Sequence, residues 1–95
     1  WPIVRAGQAV DRLVAENSLI IAPYNGDTAF LYQTNRSGWP LGYDIDDKIK
    51  KGATHYTSVV YDDEARELEK KYTVLEKNKE YIIIDLQKKN SKWKS

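Results

Sequence analysis

From Val4 to Asn17, apolar residues fall at Ala6, Val10, Leu13 and Val14, the spacing of one helix face, with Arg5, Asp11, Arg12 and Glu16 left for water. The spacing predicts an amphipathic helix ended by Asn17-Ser18. Leu19-Ile20-Ile21-Ala22 follows, rich in β-branched residues and stopped by Pro23, the pattern of a strand covered on both faces. Asn25-Gly26 tolerates positive φ, and Asp27 or Thr28 can cap a second helix from Thr28 to about Thr34. Asn35-Arg36-Ser37-Gly38 breaks it, and Trp39-Pro40-Leu41-Gly42 reads as an irregular or short extended stretch. Asp44 then stands as the cap of a third helix over about Ile45–Lys51, with Asp46 and Asp47 in its first turn and Gly52 just past its end.

Ala53–Tyr61, rich in Thr, Tyr and Val, reads as the second strand. Asp62-Asp63-Glu64 opens a helix to about Lys71, with Ala65, Leu68 and Tyr72 on one face. Thr73–Glu76 and Tyr81–Leu86 are strand-like runs separated by Lys77-Asn78-Lys79-Glu80, which fits a hairpin with a four-residue loop. This element order predicts an α/β fold: a small Rossmann-like sandwich whose sheet is mainly parallel and ends in an antiparallel C-terminal edge hairpin. In such sheets ligands collect beyond the carboxyl ends of the strands, here Tyr24–Asp27, Tyr61–Glu64 and the neighbouring Trp39 loop.

Composition narrows the chemistry. The chain has 95 residues and no apolar run longer than four, whereas a membrane helix needs about 20. Of its net charge of +1, +4 lies in residues 88–95, so residues 1–87 carry −3. We read residues 1–87 as a single α/β domain and 88–95 as a basic, disordered tail. A mildly acidic fold offers no clustered basic face to phosphate, so no nucleic-acid partner is expected. There is no Cys and one His, which removes disulfides and thiolate chemistry and leaves zinc or triad chemistry without its usual residues. Only Gly26 stands where a dinucleotide-binding glycine motif would be, and no Gly-Lys-Ser/Thr occurs, so no cofactor is expected. The acidic runs Asp44, Asp46, Asp47 and Asp62, Asp63, Glu64 both open predicted helices, where capping and dipole complementarity account for them ahead of acid–base or calcium chemistry. His55, two residues into a strand, is given no role, and Asn35-Arg36-Ser37 fits an N-glycosylation sequon.

One region carries a recognition signal. Tyr24, Asn25, Asp27, Tyr32, Asn35, Arg36, Trp39 and Tyr43 place rings and hydrogen-bonding groups within twenty residues, the mixture a sugar site requires. Tyr24, Asn25, Asp27, Asn35, Arg36 and Trp39 are therefore the candidate ligand-binding residues, and no catalytic residue is assigned. A structural reading competes: Tyr32 on a helix face, Trp39 plugging the side of the core, Asn25 and Asp27 shaping a turn.

The segments Asn25–Pro40, Lys51–Tyr56 and Glu80–Leu86 together resemble the C-terminal soluble domain of bacterial integral-membrane glycosyltransferases of the kind that includes dolichyl-phosphate-mannose protein mannosyltransferases and the aminoarabinose transferases of lipid A. The elements that carry the resemblance are a Phe30-Leu31-Tyr32 helix ending in a basic residue, Gly38-Trp39, Gly52-Ala53 opening a strand, and a closing strand ending Asp85-Leu86. The resemblance covers about residues 3–87 and implies a parent enzyme that moves sugar from a polyprenyl phosphate to an acceptor outside the membrane. The family's catalytic aspartate lies in a loop of the membrane part, and no residue here matches that loop. The chain, starting at Trp1-Pro2 without an initiator Met, would then be an excised extracytoplasmic domain without transfer activity of its own. Its implied partners are the membrane domain of the same parent protein and a glycan or polyprenyl-linked sugar. The alternative is a protein–protein interaction module with no sugar site, docking on that membrane domain or on another subunit.

Overall fold

The computed structural model describes residues 2–24 and 26–89. Its elements are α1 (Pro2–Leu13), β1 (Leu19–Ile21), α2 (Ala29–Gln33), β2 (Ser37–Trp39), α3 (Ile45–Lys50), β3 (His55–Ser58), α4 (Asp63–Lys71), β4 (Tyr72–Lys77) and β5 (Ile82–Lys89). The strands form one sheet in the order β2-β1-β3-β5-β4. β1 runs parallel to both β2 and β3, while β5 runs antiparallel to both β3 and β4. Four strands therefore point one way and β5 alone opposes them, which agrees with a mostly co-directional sheet closed by an antiparallel hairpin.

Alternation along the strands sorts the core into two halves. Ile21, Tyr56, Ile82, Ile84 and Leu86 pack with Ala65 and Leu68 of α4, and Ile45 and Ile49 of α3 join them. Ile20 and Ile83 face the opposite way, against Ala6, Ala9 and Val10 of α1 and Phe30 of α2. The molecule is thus three layers, with helices on both sheet faces. Ile20, Ile21, Ile83 and Ile84 have no solvent exposure, each such burial stabilising the fold by about 1.5–3 kcal/mol before entropy is counted. No helix among the described residues is long and apolar enough to cross a membrane.

The structure alters several of the expected boundaries. α1 begins at Pro2 and ends at Leu13, which stays 40% exposed, and Ala9 joins the buried stripe. β2 spans the end of the expected break at Asn35–Gly38 and the first residue of the stretch read as irregular or short extended: Ser37, Gly38 and Trp39 pair with Leu19, Ile20 and Ile21. β3 stops at Ser58 because the Ser58 hydroxyl accepts from the Val60 N–H (3.0 Å) and donates to its carbonyl (2.7 Å), bending the chain out of the ladder. Asp62 caps α4, accepting from the Ala65 N–H at 3.0 Å. Asp44 does not cap α3 with its side chain; its backbone turns left-handed there, with φ of 44°. β5 runs to Lys89, so Lys88 and Lys89 belong to the sheet, two residues past the boundary read from the sequence. Residues 90–95 of the predicted tail lie outside the described residues.

Candidate ligand-binding site

Because β1 and β2 are parallel neighbours, the turns that enter them lie side by side. The turn after α1 brings Glu16, Asn17 and Ser18 to the amino end of β1; the turn after α2 brings Asn35 and Arg36 to the amino end of β2. Together with Tyr32 and Ser37 they line an open depression of about 410 Å³.

Arg36 builds the floor of this shelf. Its side chain is only 3% exposed, although it is bound to the α1 terminus. Nε donates to the Ala15 carbonyl (2.9 Å), Nη2 to the Val14 carbonyl (2.6 Å) and Nη1 to the Asp11 carboxylate (2.7 Å). The guanidinium thus satisfies carbonyls left over at the helix end and places positive charge at the negative pole of the helix. Its hydrogen bond, aided by one from Asn35, holds the Asp11 carboxyl below the usual range. Asn35 follows α2 in a left-handed conformation (φ of 54°), and its side-chain amide reaches Asp11 at 3.4 Å. Tyr32, 78% exposed, stands on α2 beside it. One open ring, two amides, two serines and a single carboxylate make a surface suited to stacking against and hydrogen bonding a polyhydroxylated molecule.

The other candidates sit at the opposite end. Trp39 is the last residue of β2, about 7 Å along the strand from its start at Ser37. It is partly buried against the core half that includes Tyr56 and Leu68, and its carbonyl accepts from the Ala22 N–H at 2.9 Å. The Tyr24 ring meets Phe30 edge-on, with centroids 6.3 Å apart. Asp27 accepts from the Ala29 N–H at 2.8 Å and so starts α2. Asn25 lies outside the described residues. The five described candidates therefore do not form one site: Asn35 and Arg36 share the amino-end shelf, whereas Tyr24, Asp27 and Trp39 organise the carboxyl end.

At that carboxyl end Pro23, Leu41, Gly42, Tyr43, Asp62 and Glu64 enclose a cleft of about 210 Å³. Glu64 accepts from the Tyr43 N–H (2.9 Å) and the Tyr56 hydroxyl (3.1 Å). Burial first, and the Glu64 charge second, push the Tyr56 hydroxyl far above its ordinary range. Leu41, Tyr43, Val60 and Tyr61 are 42–72% exposed in these loops. His55 is buried, with Nδ1 2.8 Å from the Thr54 hydroxyl and Nε2 3.9 Å from Asp85. Among the described residues no group of three or more His, Asp or Glu side chains is arranged to hold a metal ion.

From the sequence Tyr32 was named but left out of the site, Glu16 was left for water, and Asn17-Ser18 was only a helix end. The available signal was β2: once Ser37–Trp39 is a parallel neighbour of β1, the two entering turns must meet. Comparison of the chain with protein-family models, with curated proteins and with solved structures finds no match.

Proposed function

We propose that this domain is a non-catalytic recognition domain that holds a glycan on the Tyr32–Asn35–Asn17 shelf, and that it belongs to the extracytoplasmic part of a membrane glycosyltransferase using polyprenyl-phosphate sugars. The shelf carries the recognition half: a ring 78% exposed, surrounded by amides and hydroxyls, over a guanidinium already committed to structure. The resemblance of residues 3–87 supports the parent enzyme and the location. The finer Rossmann-like reading rests on the adjacent co-directional strands β2, β1 and β3 with helices on both faces. The carboxyl-end loops favour a second reading, since exposed Leu41, Tyr43, Val60 and Tyr61 suit docking on a protein surface.

Titration with oligosaccharides, followed by backbone amide shifts, separates the readings. The shelf predicts saturable shifts at Ser18, Tyr32, Asn35 and Ser37, weakened roughly fivefold by Tyr32→Ala, the loss expected for about 1 kcal/mol of ring contact. The absence of any shift at saturating sugar would remove the glycan reading and leave the docking one.

A further inference from the structure

The mild acidity of residues 1–87 is an average over two unlike ends of the sheet. α3 ends just before β3 starts, α4 ends just before β4 starts, and β5, running the opposite way, stops at that same end. These three junctions carry Lys50-Lys51, Lys70-Lys71 and Lys88-Lys89. They are neighbours in space. Lys89 is paired with Tyr72, which follows Lys71; Lys50 and Lys71 line one groove between α3 and α4; and the Leu86 N–H donates to the Thr54 carbonyl at 2.9 Å, closing β5 on the turn after α3. Five of the six side chains are exposed, Lys71 being half-buried. Lys51 pairs with Asp47 at 3.0 Å, but Lys50, Lys70, Lys88 and Lys89 make no ion pair among the described residues. Of the nearby acids, Glu67 lies one turn back along α4 and Asp85 is buried beside His55, so this end is left cationic.

The carboxyl end is the reverse. The loops after β1, β2 and β3, with the first helical turns they lead into (22–28, 40–47 and 59–65), hold seven acidic residues and no basic one. Of the cations around them, Lys48 is bound to the Gly42 and Tyr43 carbonyls, and Arg5, Arg66 and Lys77 are paired with Glu80, Asp63 and Glu69. Acids in a first turn and lysines in a last one are what each helix dipole favours. Lys88 and Lys89 close a strand and have no such local reason. Because α3 and α4 end on the same side, the local preferences add, and the molecule carries a charge dipole along its strands.

Such a field turns the amino end toward an anionic surface and the carboxyl end away from it. Both a bilayer and a nucleic acid present dense phosphates. The one ring at the three junctions, Tyr72, is buried, so no base can stack there. Lysines meet lipid phosphates without such a partner, their stems lying along the surface while the ammonium groups reach the headgroups. Sheet order places the two features of this end side by side: the shelf at β2 and β1, then the lysines at β3, β5 and β4 across about 10 Å. We infer that Lys50, Lys51, Lys70, Lys88 and Lys89 dock this end of the sheet on the anionic headgroups of a bilayer, which holds the adjoining shelf at headgroup height. The docking follows from the charge geometry; that the glycan met there is lipid-linked rests on the proposed function. Each lysine brought to the surface strengthens binding roughly fivefold, an effect that salt screens.

The test is co-sedimentation of the full chain with phosphatidylcholine vesicles containing about 30% phosphatidylglycerol. Docking predicts binding at about 0.1 M salt, its loss at about 0.5 M, and none to pure phosphatidylcholine. Lys50→Gln/Lys70→Gln and, separately, Lys88→Gln/Lys89→Gln should each weaken binding roughly tenfold or more. Arg66→Gln/Lys79→Gln, the same charge change at the other end, should leave it within about twofold. A spin label on the lipid headgroup should broaden the amides of Lys51, Gly52, Lys70 and Lys88 and spare those of Leu41, Tyr43 and Val60. No binding to the anionic vesicles at low salt would overturn the inference, as would equal weakening by all three pairs, which would mean net charge alone. Binding that ignores Lys50→Gln/Lys70→Gln would show that the lysines of the helix ends take no part and overturn it too. Binding to a single-stranded oligonucleotide without binding to vesicles would give the face to nucleic acid instead. Saccharide titration without vesicles reads the shelf alone, so failure of the docking and failure of the glycan reading are separate results.

Discussion

Arg36 shows how a residue with the chemistry of a ligand contact can be consumed by the fold. In the sequence it follows a helix and precedes Trp39, which fits a sugar-binding guanidinium as well as a helix-capping one. In the structure it spans from α2's exit to α1's last carbonyls, with hydrogen bonds to Val14, Ala15 and Asp11. Arg36→Ala would strand the Val14 carbonyl, that of Ala15 keeping the Ser18 N–H at 3.1 Å, and leave a buried gap, so a loss of about 2–4 kcal/mol is expected in urea unfolding, with Arg36→Lys recovering only part. A loss below about 0.5 kcal/mol would show that the cap contributes little. His55 gives the pH dependence. Burial holds its imidazole below the ordinary value of 6.5, with the Asp85 carboxylate working against the shift. The native state therefore binds this proton more weakly than the unfolded chain does. The associated stability is complete above 6.5 and is lost as pH falls from there toward the lower native value. The urea midpoint should drop between pH 7.5 and 5, and His55→Gln should flatten that drop; an unchanged slope in the variant would assign it to other groups.

Among the elements, those with strong local signals were legible. α4 was announced by its cap Asp62 and by Ala65 and Leu68, and the β4–β5 hairpin by two apolar runs around Asn78. The Asn78 side chain accepts from the Glu80 and Tyr81 N–H groups at 2.8 and 3.0 Å, which fixes the loop. β2 was illegible because Ser37 and Gly38 read as part of a break, leaving only Trp39 in a stretch that could be extended. The glycine is in fact a requirement of pairing. Gly38 has φ of 151°, and a Cβ there would stand 1.8 Å from the Ile20 carbonyl oxygen. No side chain fits without separating β2 from β1. Gly38→Ala should cost about 3 kcal/mol or more and release amide protection at Ala22, whose N–H is held by the Trp39 carbonyl at 2.9 Å. Full protection with a cost under about 1 kcal/mol would contradict the close approach.

For the molecule as a whole, layer architecture was readable from the alternation of helices and strands, but the site was not, because it depends on which strands become neighbours. Placing β2 beside β1 sends Asn35 to one end of the sheet and Trp39 to the other, dividing five described candidates that are close in sequence. The same pairing gathers Asn17, Ser18 and Asn35, from turns 17 residues apart, around Tyr32. The central claim is that this assembled shelf, and not the carboxyl-end cleft, meets the glycan. The direct test is a map of amide shifts on saccharide titration, made in parallel for Tyr32→Ala and Tyr43→Ala. The account predicts shifts clustered at residues 17–19 and 32–37, abolished or weakened by the first substitution and untouched by the second. Shifts centred on Leu41, Tyr43 and Glu64 that survive Tyr32→Ala would contradict it.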